Sequence, residues 1–300
     1  METVVARERM LEVRSRGLDA CLLAFADCDQ VVEDLRSILR GWEVHEVGAE
    51  CGPAVVRLKR ARDGYLRISP WSRTPSKCHE SFRTHNTDAL FGVHYDLLRW
   101  YVEAERGPCL HCAAVRFGSG LVVFPNTSKA GKSTLAIRLA IAGHQIFGDD
   151  WLAIRNPGNL GMALGILPWL RLPAPAGVRE AFRHFLKDRK GPRNRRWTYV
   201  DLRDGELAPH GATAPVRALV LLNRRDRGPA RLDPVTKDKM LIELVQQNYA
   251  RQVPAMNVLD TLHALTQRAE CVSLRYASVT EAADLLQRVF GGPGHDRIRH

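Results

Sequence analysis

The chain has 300 residues, 45% of them hydrophobic and 26% charged, a composition that is ordinary for a folded globular protein of one large domain or two unequal ones. Apolar residues never approach the run of about 18 that a membrane span needs, and the start METVVARERMLEV lacks the apolar core of a secretory signal, so we expect a cytoplasmic protein with no membrane partner. The net charge of +11 would suit nucleic acid, a membrane surface or an acidic partner, but no signature of a nucleic-acid-binding fold accompanies it.

Residues 1–86 have the pattern of a small mixed α/β module, which precedes a larger domain at 87–292 and a loose tail at 293–300. Apolar runs and helical spacing predict a strand at 21–25, a helix at 30–39 and strands at 54–58 and 65–68. The sequence Arg62-Asp63-Gly64 between the last two strands predicts a β-hairpin. Residues 70–86 contain two prolines and many polar side chains, so we interpret them as a connection.

The larger domain begins with the alternation of strands and helices that is typical of an α/β fold. A helix at 87–105 is followed by a strand at 110–116, a tight turn at 118–120 and a strand at 121–124. A helix at 132–142 and a strand from 145 then lead to two aspartates. Further predictions are strands at 151–154, 216–222 and 271–276, and helices at 237–249, 258–268 and 280–290.

Residues 179–203 (REAFRHFLKDRKGPRNRRWTYVDLR) hold a concentrated part of the positive charge. We interpret this stretch, from Arg179 to Arg203, as a solvated or mobile basic segment. The alternative is a lid or a peptide-docking surface.

Seven cysteines are spread through the chain, and their odd number does not form a disulfide framework. Cys109 and Cys112 make a CxxC pair, a spacing that zinc and redox sites also use. No second CxxC accompanies the pair, and Cys112 opens the apolar run CAAV. We therefore predict that both are buried apolar side chains.

The strongest chemical signal is the run NTSKAGKS at 126–133, which fits G-x-x-x-x-G-K-[ST] at every fixed position except the first. An apolar strand precedes it and a helix follows, so its backbone N–H groups and the helix N-terminus would bind phosphate oxygens. We expect Asn126 to replace glycine because asparagine tolerates positive φ. Lys132 would reach the β- and γ-phosphates of ATP, and Ser133 would ligate Mg²⁺. The predicted nucleotide-binding residues are Asn126, Thr127, Ser128, Lys129, Ala130, Gly131, Lys132, Ser133 and Thr134.

Asp149 and Asp150 follow the next predicted strand. A carboxylate in this position suits coordination of Mg²⁺ or removal of a proton from an acceptor hydroxyl. His111, considered from the residues alone, is a single histidine on an apolar strand, which favours a satisfied core histidine. His144, at the end of a helix, is interpreted as a capping or surface residue.

The order of these motifs resembles the catalytic domain of bacterial HPr kinase/phosphorylase. The resemblance is carried by LHCAAV at 110–115 and FPNTSKAGKSTLAIRLAIAGHQIFGDD at 124–150, which match without a gap that family's leucine-histidine strand, glycine turn, P-loop, helix ending in Gly-His and double aspartate. It extends more loosely over 109–290. Residues 1–108 do not match that family's own N-terminal domain, so the chain looks more like the shorter HPr-kinase-related proteins.

The resemblance implies roles for the matching residues. Asp149 would be the base that deprotonates the acceptor, Asp150 would hold Mg²⁺ together with Ser133, Lys132 would neutralise the transferring phosphate, and His111 would be the active-site histidine.

The chain departs from that family's second signature. Its Glu and Arg are missing from LGMALGI at 160–166, which implies a kinase without phosphorylase activity and leaves a second metal contact unassigned. The residues that could supply positive charge instead are Arg171, Arg224 and Arg225.

Together these features predict an ATP-dependent, Mg²⁺-dependent kinase that phosphorylates a hydroxyl, of Ser or Thr, in a peptide or protein, or a hydroxyl of a small metabolite. The alternative is a nucleotide-binding regulatory or assembly module that binds ATP without transferring phosphate to an acceptor. A weaker third hypothesis, motivated by the charge of +11, is modification of nucleic acid. A homo-oligomer remains open.

Overall fold

The computed structural model describes residues 8–15, 17–71, 79–82, 85–105, 107–127, 130–155, 159–174 and 180–292. Within these ranges the chain is a mixed α/β fold with seven α-helices and three sheets. None of the helices in the described ranges combines the length and apolarity that crossing a bilayer requires. The predicted tail at 293–300 lies outside the described residues.

The amino-terminal module is a six-stranded sheet with one helix. Its elements are β1 (Glu8–Arg14), β2 (Cys21–Ala26), α1 (Asp29–Ile38), β3 (Glu43–Val47), β4 (Val56–Ala61), β5 (Gly64–Ile68) and β6 (His79–Phe82). The strand order is β3-β1-β2-β4-β5-β6, and only the pair β2–β4 is parallel. The buried apolar side chains of α1 recur at helical spacing, and α1 packs against the long helix α2 (Asn86–Ala104).

Most of the predicted elements of this module are confirmed. The hairpin joins β4 to β5 through Arg62 and Asp63, with Gly64 already paired as the first residue of β5. The interpretation of 70–86 as a connection is wrong over His79–Phe82, which pairs with β5 as an edge strand. The sequence HESF shows no strong apolar alternation, and a neighbouring strand with open hydrogen-bonding groups supplies the pairing instead.

The larger unit contains a nine-stranded mixed sheet, a separate three-stranded sheet and five further helices. Its strands are β7 (Cys109–Leu110), β8 (Ala113–Phe117), β9 (Gly120–Phe124), β10 (Ile146–Gly148), β11 (Leu152–Arg155), β12 (Leu160–Ala163), β13 (Trp169–Arg171), β14 (Lys190–Arg193), β15 (Trp197–Val200), β16 (Thr213–Arg224), β17 (Arg231–Pro234) and β18 (Glu270–Tyr276). Its helices are α3 (Lys132–Ile141), α4 (Glu180–Asp188), α5 (Lys237–Gln246), α6 (Ala255–Arg268) and α7 (Val279–Phe290).

Helices cover the large sheet on both faces. Parallel strands β9, β16 and β18 lie at its centre. Val122 and Phe124 of β9 belong to a core with α3 and α7, whereas Leu121 and Val123 belong to a core with α5 and α6. A strand that is buried on both faces has a continuous run of apolar residues in its sequence, and this run allowed β9 and β16 to be predicted.

One further prediction needs correction. The predicted strand at 110–116 is broken into β7 and β8, because β7 pairs with β11 whereas β8 pairs with β9 and β10. The described part of the basic segment, 180–203, forms α4, β14 and β15; its Arg and Lys side chains are exposed, in keeping with a solvated segment, except Arg189, which is partly buried and bonds to Glu206. Cys109 and Cys112 are fully buried, as predicted, and burial raises the pKa of both thiols.

Candidate active site

Four of the predicted site residues meet at the amino-terminal end of α3. Asp149 and Asp150 follow β10, His111 lies in the break between β7 and β8, and Lys132 is the first residue of α3. His111 Nε2 is 2.9 Å from Asp150 Oδ1 and 3.3 Å from Lys132 Nζ. Residues from three separate elements therefore form one polar cluster. The break in the predicted strand lies at this cluster, because His111 is one of the two residues between β7 and β8.

Lys132 is buried within this cluster, with 6% of its surface exposed. Its ammonium donates hydrogen bonds to the backbone oxygens of Asn126, at 2.7 Å, and Thr127, at 3.2 Å. Burial lowers the pKa of Lys132, while the charges of Asp150 and Asp149 act in the opposite direction. The ammonium is thus desolvated and held against carbonyls of the loop.

His111 is held from both sides of its ring. Nδ1 lies 3.0 Å from Gln247 Oε1 and Nε2 lies 2.9 Å from Asp150, while the backbone N–H of His111 donates to the carbonyl of Gln247. The orientation of the Gln247 amide decides whether its oxygen or its N–H group faces Nδ1. In both cases Gln247 orients the ring. Gln247 follows α5, 136 residues from His111, and no local pattern marks it.

Asp149 is a buried carboxylate, 5% exposed, beside a second carboxylate. Burial and then the charge of Asp150 raise the pKa of Asp149 to about 7, whereas the nearby Ser133 and Lys132 lower it. Its Oδ2 accepts a hydrogen bond from the backbone N–H of Trp169 at 3.4 Å. Its Oδ1 is buried and accepts no hydrogen bond of good geometry among the described residues, and the Ser133 hydroxyl is the side-chain donor close enough to lower the pKa of the carboxyl group. A buried carboxylate oxygen that accepts no hydrogen bond is stabilised when it binds a proton or a ligand.

Asn126 occupies the first position of the loop for a different reason from the one predicted. Its φ is not positive; within the described ranges, the non-glycine residues with positive φ are Asp27 and Asn159. Instead, its side chain accepts from the backbone N–H of Leu222 at 2.7 Å and donates to the Leu222 carbonyl at 3.2 Å. The amide therefore ties the loop to β16, which glycine could not do.

Gly131 forms the turn into α3 with a φ of +97°. A Cβ at this position would lie 2.9 Å from the Tyr276 hydroxyl. The glycine thus satisfies both a left-handed backbone and a close approach. Thr127 is exposed, whereas Ala130, Ser133 and Thr134 are partly exposed; Ser128 and Lys129 lie outside the described residues.

A pocket next to the aspartates is lined by His94 of α2, Asp149, Asp150, Trp169 and the segment 164–167. Burial lowers the pKa of His94 to about 4, and its Nδ1 is 3.0 Å from the Tyr199 hydroxyl, so the ring is neutral at physiological pH. His94 and Trp169 were not identified from the sequence. Both stand in apolar or aromatic surroundings where core packing is the ordinary interpretation.

The amino-terminal module holds the segment 164–167 by its backbone. The N–H of Arg40 donates to Gly165 O at 2.6 Å, the indole of Trp42 donates to Leu164 O at 2.6 Å, and the N–H of Leu167 donates to Ile38 O at 2.9 Å. Gly165 has a φ of +60°, and a Cβ there would lie 2.0 Å from Arg40 O. One wall of the pocket is therefore fixed by the other unit of the chain.

The remaining candidates have other contacts. Arg171 lies over the Trp197 ring at 5.1 Å, and Arg224 and Arg225 are exposed at the end of β16 and just after it. His144 follows α3, where its Nδ1 is 3.3 Å from Arg116 O and its ring lies 4.2 Å from that of Phe117. His144 is thus a partly buried packing residue near the helix end.

Comparison with known proteins found no matching family model and no matching curated protein. Among solved structures, the chain is similar to the Hpr(Ser) kinase/phosphatase from Coxiella burnetii, with a TM-score of 0.30 and 12% sequence identity. The alignment covers 60% of this chain and 93% of that chain. Similarity at this level is distant and assigns the chain to no family.

Proposed function

We propose that the protein is an ATP-dependent kinase that transfers the γ-phosphate to a hydroxyl, of Ser or Thr in a peptide or protein or of a small metabolite. The observation that carries this proposal is Asp149: a buried carboxylate with a pKa of about 7 and one oxygen that accepts no hydrogen bond of good geometry among the described residues, beside Lys132 at the start of a helix. A base whose pKa lies near the working pH is the kind that general-base catalysis needs.

In the proposed reaction, Asp149 Oδ1 accepts the proton of the acceptor hydroxyl as its oxygen forms a bond to the γ-phosphorus. The bond from that phosphorus to the bridging oxygen breaks, and ADP leaves with the electron pair. Lys132 moves from the loop carbonyls to the phosphate oxygens and neutralises their charge. The pocket beside His94 and Trp169 is the side from which an acceptor would reach Asp149.

The donor set of the site fits Mg²⁺, because the Asp150 carboxylate and the Ser133 hydroxyl, both oxygen donors, lie next to Asp149. Mg²⁺ held here would offset the negative charge of the phosphate groups. We propose that Asp150 and Ser133 hold it. His111 would then orient Asp150 through their 2.9 Å contact.

A second candidate function is a nucleotide-responsive module without an acceptor. It is favoured by the contacts of Asp150 with His111 and of Lys132 with the loop carbonyls. In this candidate, ATP would replace these contacts when it binds, and their loss would be the signal that ATP is bound.

The test is transfer from γ-labelled ATP to pools of Ser- and Thr-containing peptides and hydroxy metabolites. Lys132→Ala and Asp149→Asn should each lower transfer by about 10³-fold or more, since charge neutralisation and base catalysis are lost. Lys59→Ala, an exposed change in β4, is the control and should leave transfer unchanged. Full activity of Lys132→Ala would show that the site is wrongly assigned. Binding of ATP by the wild type without any transfer would favour the second candidate.

A further inference from the structure

The three-stranded sheet has an unusual distribution of charge. Its strands β13, β14 and β15, with the turn at 194–196, are here called the basic sheet, and in these residues there is no Asp or Glu. Its cationic side chains are all exposed: Arg171, Lys190, Arg193, Arg195 and Arg196. A surface with this charge attracts anionic groups, and arginine binds carboxylates through paired N–H donors.

The basic sheet is attached directly to the candidate active site. Its first residue, Trp169, donates its backbone N–H to Asp149 Oδ2 and lines the pocket. Asn194, in the turn between β14 and β15, donates to Asp88 of α2 at 2.8 Å. Tyr199, which pairs with Trp169, contacts His94 of the same helix. The Asn194 amide thus gives the nearby Asp88 carboxylate a hydrogen-bond partner. Together these contacts hold the cations of the basic sheet at a fixed position relative to Asp149.

Aromatic rings lie between the cations and the pocket. Trp169 packs edge-on against Trp197 at 4.7 Å and Phe91 at 5.1 Å. The Phe91 ring and the Arg171 guanidinium already lie over Trp197, at 6.5 Å and 5.1 Å. Recognition of single-stranded nucleic acid relies on open aromatic faces on which bases stack. Rings that cover one another form an apolar wall instead, which suits the side chains of a polypeptide.

We propose that the acceptor is an acidic polypeptide segment, whose carboxylates bind the basic sheet while its hydroxyl-bearing residue enters the pocket beside Asp149. This proposal rests on the proposed kinase function and names its substrate class. Binding by the sheet requires no nucleotide, so it can be measured separately from phosphate transfer.

The experiment measures the fluorescence anisotropy of three labelled probes without nucleotide. They are a short peptide of Asp and Glu around one Ser, the same peptide with Asn and Gln, and an oligouridine of equal length. The variant Arg195→Glu/Arg196→Glu should bind the acidic peptide about tenfold more weakly at low salt, because two attractions become repulsions. High salt should weaken wild-type binding. The control Lys59→Glu/Arg62→Glu makes the same charge change on the amino-terminal sheet and should leave binding unchanged.

Equal affinity for the acidic and neutral peptides would overturn the proposal, as would unchanged binding by Arg195→Glu/Arg196→Glu with an intact thermal transition. Tighter binding of oligouridine, lost in the same variant, would replace the peptide with a nucleic acid. Transfer of phosphate to the neutral peptide as fast as to the acidic one would leave the kinase intact and refute the docking surface. Salt-sensitive binding of the acidic peptide without any transfer would support the docking surface and refute the kinase function.

Discussion

Replacing Asp149 with Asn should stabilise the protein at neutral and alkaline pH while abolishing its activity. The pKa of Asp149 is raised from 3.8 to about 7, a shift of about three units. At about 1.4 kcal/mol per unit, the ionised carboxylate costs the folded state about 4 kcal/mol. The side chain is 5% exposed, so solvent screens little of this cost. Asn keeps an oxygen for the N–H of Trp169 and carries no charge.

The sign of the pH dependence follows from where the proton is bound. Between about pH 4 and pH 7 the folded state keeps a proton on Asp149 that the unfolded chain has lost, so wild-type stability falls as pH rises through this window. The variant lacks that contribution. Urea denaturation at several pH values should therefore give similar free energies of unfolding at about pH 3, an advantage for Asp149→Asn of about 1.5 kcal/mol at about pH 5, and an advantage approaching 4 kcal/mol at about pH 8.

The control is Asp63→Asn, which removes a carboxylate from the exposed hairpin turn. Its free energy of unfolding should run parallel to that of the wild type across the same pH range. A difference between Asp149→Asn and wild type that stays constant from about pH 5 to pH 8 would refute the reasoning, because it would show that burial and Asp150 do not raise this pKa.

Three further substitutions test individual contacts. Gly131→Ala should lower the free energy of unfolding by about 1–2 kcal/mol in urea denaturation, because a left-handed φ of +97° is strained for alanine. Adding Tyr276→Phe to this variant should recover part of the loss, because it removes the hydroxyl that lies 2.9 Å from the new Cβ. Gln247→Leu should lower kcat roughly tenfold in steady-state assays, the value of about one hydrogen bond to the His111 ring, and an unchanged kcat would contradict that role. Trp42→Phe, which deletes the hydrogen bond to Leu164, should raise KM for the acceptor while leaving KM for ATP unchanged; equal changes in both would count against the wall function of this contact.

The sequence predicted those parts of the fold that depend on local signals. Strand β9 is a doubly buried apolar run, and α3 begins at Gly131-Lys132 as the loop pattern requires. Strand β6 and the basic sheet were not predicted, because their residues are polar or charged and pairing with neighbouring strands decides their conformation.

The candidate site likewise contains residues that could be identified from the sequence and one that could not. His111, Lys132, Asp149 and Asp150 were identified from motif and order, and the structure brings them together. Gln247 was not identified, because its contact with His111 spans most of the larger unit and leaves no trace in its neighbours along the chain. Their catalytic and metal-binding roles stay predictions.

The backbone contacts of residues 38–42 with the segment 164–167 have a consequence for dissection and recombination of the protein. A fragment starting at α2 would retain every charged group around Lys132 yet lose the support of one side of the acceptor entrance. A chimera that takes its first module from a relative would inherit that relative's entrance shape. The shape of the proposed entrance would therefore depend on the amino-terminal module, while the basic sheet and the groups around Lys132 would stay with the remainder of the chain.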